Sequence, residues 1–240
     1  MDEMHTMHLG VFGVYVAYAL WEVVKANVWK IGAGRPQEVV HELVAQRMSY
    51  ELNLWYKRQK RDHPDKPVYE LAQFSLQTLG AKDRPSLTGP KAAETGSLLG
   101  FAVSMCQTYE QQIERGAALT RAGEALLEYH TITRRAEHQL DAVDTQGIMD
   151  ATLRFLAVRE QCGLPYIPKM HLMVHLAYQV RFFGNPRLTA TWEDEGVNRQ
   201  FAAVCKSAHA SVWHRRVLAT MNHVLLAPAQ VKAGQKRGRV

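Results

Sequence analysis

The sequence predicts a mostly α-helical, multi-helix domain, on three observations. Apolar residues recur at three- and four-residue intervals over long stretches. Gly and Pro cluster between those stretches rather than inside them. No run of convincing length alternates at strand period. The 240 residues suit one domain or two small ones, and 47% hydrophobic against 22% charged residues is ordinary for a globular chain with a real core.

The first helix is expected over about residues 6–31, with Val11, Tyr15, Tyr18, Trp21 and Val24 at helical spacing and Gly32-Ala33-Gly34 as its stop. Its apolar stretch, 9–24, contains Glu22 and is shorter than a membrane span, so it reads as a buried helix with no membrane role. Pro36 suits the first turn of the next helix. Val40, Leu43, Val44, Met48, Leu52 and Trp55 share a face there, and the charged run 57–62 ends it before a loop at 63–67. A short helix is expected over 68–79, closed by Gly80, and 81–90 is the clearest loop. Pro90 opens a long helix to about Arg115. Another spans 117–138, with a break near Gly116. Asp144 or Thr145 can cap a helix that reaches Cys162. After a linker at 164–168, Pro168 starts a helix to Phe183, closed by Gly184-Asn185-Pro186. A last helical block runs over about 192–226 and Pro228 ends it. The expected organisation is a single helical domain, 1–228, followed by a basic, disordered tail, 229–240.

Charge is distributed unevenly. The net charge is +6, yet Arg199, Lys206, Arg215, Arg216, Lys232, Lys236, Arg237 and Arg239 lie in the last 42 residues with no acid among them. The first 198 residues therefore carry a small negative net charge. A basic end suggests an anionic partner, most often nucleic acid. It reads equally as a solvated tail. Cys106, Cys162 and Cys205 are far apart, without a CxxC pair, so a disulfide framework and a zinc knuckle are both disfavoured. A reducing intracellular compartment fits, and two acids and two histidines before the first apolar run argue against a cleavable signal.

Three clusters could carry chemistry. Asp2-x-x-His5-x-x-His8 places metal-ligating residues three apart, a spacing that shares a helix face. His171 and His175 stand at i and i+4, which can chelate a metal, but Leu172 follows the first histidine where a zinc protease needs Glu. Glu193-Asp194-Glu195 opens an apolar-periodic helix, with Asn198 one turn on and Phe201 beyond it. Each cluster has an ordinary reading beside the functional one: a polar terminus, core-edge histidines, and acids favoured by a helix dipole.

Taken together, the clusters carry a resemblance. Lys169-Met-His171-Leu-Met-Val-His175-Leu176, then Gly184-Asn-Pro186, Ala190-Thr191 and Glu195-x-x-Asn198-x-x-Phe201 resemble the C-terminal catalytic part of eukaryotic DDE-type transposases, nearest to CACTA-like elements and transposon-like reading frames. Asp2-Glu3-Met4-His5 with Leu9-Gly10 resembles the block that carries that family's second acid. These motifs occupy about a quarter of the chain, and their order makes them specific.

The resemblance implies an RNase H-like core whose three carboxylates hold two divalent ions, Mg²⁺ or Mn²⁺, for phosphodiester cleavage and strand transfer. Asp2 would be the second acid and Glu195 the third, with His5 beside the metal. As supporting residues, Asn198 would orient Glu195 or bind a phosphate, and His171 and His175 would buttress the fold or contact DNA, while Arg199, Lys206, Arg215 and Arg216 would contact DNA. Two departures matter. The first acid and most of the sheet are missing, so the chain would be the helical insertion and C-terminal part of such a core. Asp194 also stands where an aromatic residue normally precedes the third acid, and Glu193, after Trp192, could take that role instead. The expectation is a degenerate or truncated fragment, nuclear, with DNA as partner. It would be inactive alone unless a homo-oligomer or another chain supplies the missing acid. The alternatives are a helical scaffold or protein-interaction domain with no nucleic-acid role, and a metal hydrolase built on Asp2, His5, His171 and His175.

Overall fold

A sequence as apolar on all sides as residues 4–26 needs neighbours on every face. In the computed structural model, which describes residues 2–136 and 138–191 together with Ala219, it has them. The chain divides into two compact units, Met1–Ala190 and Thr191–Val240. Nearly all of the described residues belong to the first.

The N-terminal helix begins as a π-helix, Met4–Phe12, and continues without interruption as α1, Gly13–Ala26. Met7, Val11, Phe12, Tyr15, Val16, Leu20, Val23 and Val24 along it are all sealed from solvent. This segment has the length and apolar character of a membrane span, but most of it is buried inside the domain, as a core helix is. The helix ends five residues earlier than its apolar pattern suggests. Asn27 turns left-handed (φ 45°), and its side chain bridges to the backbone of Ile31 through both its oxygen and its nitrogen. Asn tolerates that conformation and caps locally.

α2, Gln37–Asp62, follows Pro36 and ends in the basic run, as its composition indicates. The expected helix over 68–79 does not form. Tyr69 N–H donates to the Ser97 hydroxyl and Leu71 N–H to the Tyr56 hydroxyl, so other elements satisfy this backbone. Only Leu76–Leu79 winds, as a 3₁₀ turn. It leads into a two-residue antiparallel pair, β1 (Gly80–Ala81) and β2 (Arg84–Pro85). Gly80 is required here, at φ 70° with Ser86 backbone where a Cβ would lie.

α3, Ala92–Thr108, stops seven residues before the expected Arg115, and turns fill the gap to α4, Gly116–Arg135. α5, Ala142–Arg159, is capped by Asp141, whose carboxylate accepts from Asp144 N–H. Asp144 is thus the N3 residue and not the cap, and Thr145 lies a residue further inside. α6, Pro168–Phe183, has the expected bounds, and a 3₁₀ turn, Pro186–Thr189, follows.

The helices pack in a closed circuit. α1 lies on α3, α3 on α4, α4 on α5 and α5 on α6, and α6 returns to the π-helical segment. Across the circuit, the Tyr15 hydroxyl donates to Leu119 O (3.0 Å), and the absence of a side chain at Gly123 makes room for its ring. The described residues are thus mostly helical, as the periodicity predicts.

Candidate functional site

The N-terminal block is built around a helix start. Asp2 Oδ1 accepts from Met4 N–H (3.1 Å) and Oδ2 from His5 N–H (3.3 Å), so the carboxylate satisfies two of the donors that a helix leaves open at its first turn. His5 Nδ1 pairs with the same Oδ2. Asp2 and His5 therefore come together, as their three-residue spacing predicts. His8 does not join them, because six residues carry it round to the other side of the helix. There its Nδ1 lies 2.8 Å from Ala92 O, and its ring packs edge-on against His130 and Phe12. The expectation that all three share a face is corrected on this point.

Beneath this first turn lies a polar cluster that the sequence did not mark. Glu3 is buried, and its Oε2 has no hydrogen-bond partner among the described residues. Burial pushes its carboxyl up to about 7. The Arg187 guanidinium and the Thr133 hydroxyl pull it down, and Asp2 adds to the rise. Burial also lowers His8 to about 4 and holds His130 well below the ordinary imidazole range. Both rings are therefore neutral at pH 7. Tyr129 OH and His130 Nδ1 are buried without partners among the described residues. Gly96 on α3 lets the two imidazoles approach, since a Cβ there would stand 3.0 Å from His8 Cε1 and 3.2 Å from His130 Nε2. No spacing rule links Glu3 to His130. Glu3 precedes the first apolar run in a polar stretch, so no local signal marks its carboxyl as buried.

The C-terminal block reaches the same region. Lys169, at the start of α6, lays its aliphatic stem against Gly10 and donates from Nζ to Leu9 O (3.0 Å). Asn185 is buried in the turn after α6. Its Nδ2 donates to Thr133 O (2.8 Å) and Ala136 O (2.9 Å), the loose carbonyls at the end of α4, while its Oδ1 accepts from Arg187 N–H. Gly184, at φ 76°, brings His138 O within 2.4 Å of where a Cβ would lie, so the turn requires glycine. Arg187 then carries its charge towards Glu3.

His171 and His175 sit on the exposed face of α6 with their Nε2 atoms 2.8 Å apart. Neither ring has a hydrogen-bonding partner among the described residues other than the other histidine. Among the described residues, no three His, Cys, Asp or Glu side chains gather as a metal-binding group, so Asp2, His5, His171 and His175 do not form a hydrolase centre. Glu193, Glu195, Asn198, Arg199, Lys206, Arg215 and Arg216 lie outside the described residues.

Comparison of the chain with protein families, with characterised proteins and with solved structures finds no match.

Proposed function

We propose that the chain is a transposase-derived DNA-binding protein, the helical insertion and C-terminal part of a DDE-type enzyme, acting in the nucleus. One observation carries the reading: the two sequence blocks that resemble the family pack against each other although 160 residues separate them, with α6 on the π-helical segment and Lys169 on Leu9. Blocks brought together across a helical insertion are what a catalytic domain with that motif order needs.

In this reading Arg199, Lys206, Arg215 and Arg216 hold the DNA backbone, supported by the basic excess of the last 42 residues. Asp2, His5 and Glu195 would hold Mg²⁺ or Mn²⁺. The described residues alone do not fit such an ion, because Asp2 is engaged as a helix cap and paired to His5. We therefore derive no catalytic step, and a second chain would have to complete the carboxylate set.

The test is duplex binding by the full chain, followed by fluorescence anisotropy. Affinity should fall by orders of magnitude between about 50 and 200 mM salt if several phosphates are contacted. Arg215→Ala with Arg216→Ala should weaken binding to all sequences alike and flatten the salt slope by about two charges. Binding that ignores both would favour the scaffold reading.

A further inference from the structure

The pair of histidines on α6 is not used by the DNA reading and stands apart from it. His171 and His175 are one helical turn apart, exposed, and turned towards each other with Nε2 to Nε2 at 2.8 Å and ring planes nearly perpendicular. Among the described residues each ring's only hydrogen-bonding partner is the other. Two imidazole nitrogens at this distance share one proton, since two donors cannot face each other. Shifting that proton to the Nδ1 of its own ring frees both Nε2 lone pairs at once, with no net proton gained or lost.

We propose that His171 and His175 form a two-nitrogen chelate for a divalent transition-metal ion of square-planar or octahedral preference, Cu²⁺ or Ni²⁺. Imidazole suits these ions and carboxylate-seeking Mg²⁺ does not. The distance selects further. Two nitrogens ~2.0–2.1 Å from one ion stand about 2.9 Å apart when cis at a right angle, and about 3.4 Å apart at a tetrahedral angle. The observed 2.8 Å matches the first, so tetrahedral Zn²⁺ requires the rings to open by about half an ångström. The site is at the surface, which leaves the remaining coordination positions open to water or to a further ligand.

The test uses the full chain, stripped with a chelator and titrated separately with Cu²⁺, Ni²⁺, Zn²⁺ and Mg²⁺ by calorimetry, with the electron paramagnetic resonance spectrum of the Cu²⁺ form as a second readout. Nine further histidines are present, so the variants decide. His171→Ala and His175→Ala should each weaken the tightest Cu²⁺ site by about a hundredfold, the order of a lost intramolecular second contact, and reduce the nitrogen coupling in its spectrum from two imidazoles to one. His63→Ala, on an exposed loop, should leave both unchanged. Because both histidines are exposed, circular dichroism should show all three variants folded. Retention of the tightest site in His171→Ala or His175→Ala, or tighter binding of Mg²⁺ than of Cu²⁺, would overturn the assignment.

Discussion

At the first turn of the N-terminal helix, a carboxyl group stands where water cannot reach it. Glu3 is raised to about 7 against an ordinary value of 4.5. An acid whose folded value is raised destabilises the fold as pH climbs, because the unfolded chain ionises first. Its contribution is intact below about 4.5, is lost between about 4.5 and 7, and stays lost above. The full loss is about 3 kcal/mol for a shift of this size. His8 runs the other way: lowered to about 4, it costs stability as pH falls from 6.5. Glu3→Gln removes the first effect and leaves the second. The stability difference between Glu3→Gln and the parent, from urea unfolding, should grow by up to about 3 kcal/mol from pH 4.5 to pH 8. A constant difference would mean that Glu3 is ionised and paired. The resemblance singles out Asp2 in this block; the residue beside it has the more perturbed carboxyl. Sequence could not show this, because burial of Glu3 depends on α4 and on the turn after α6, both more than a hundred residues away.

At the scale of elements, boundaries set by local chemistry were readable and boundaries set by distant partners were not. Pro36, Pro168 and Gly184 mark helix ends through their own backbone geometry, and α2 and α6 have the expected bounds. The segment 68–75 has apolar residues at helical spacing and yet is not helical, because Ser97 and Tyr56 accept from its backbone N–H groups at Tyr69 and Leu71. Asp141 rather than Asp144 caps α5, a choice between two acids three residues apart that propensity alone does not make. The Gly184-Asn185-Pro186 turn was legible as a helix stop, but not as the tie between two helices. Asn185→Ala would leave Thr133 O and Ala136 O without their donor, at a cost of about 1–3 kcal/mol. The urea midpoint should fall, and amide exchange should accelerate first around residues 180–186. Asn185→Asp should be no better, since a carboxylate cannot donate to either carbonyl.

For the molecule as a whole, the helical class was legible from periodicity, and the order of packing was not. The circuit from α1 through α3, α4, α5 and α6 back to the π-helical segment means that the most apolar helix is completed by the last one described. A chain ending at residue 167 should leave Met4, Met7 and Val11 with one wall missing. It should bind a hydrophobic dye strongly and unfold without a sharp transition, where the full chain should do neither. Retention of a cooperative transition would show that α6 is dispensable to the core.

The same circuit has a consequence in time. Residues at the N-terminus leave the ribosome first, and Lys169 follows Leu9 by 160 residues. At about 5–20 residues per second that interval is on the order of ten to thirty seconds. Throughout it, one of the greasiest segments of the protein waits for its final neighbour. Yield in the cell should then depend less on the finished fold than on whatever shields that segment during synthesis.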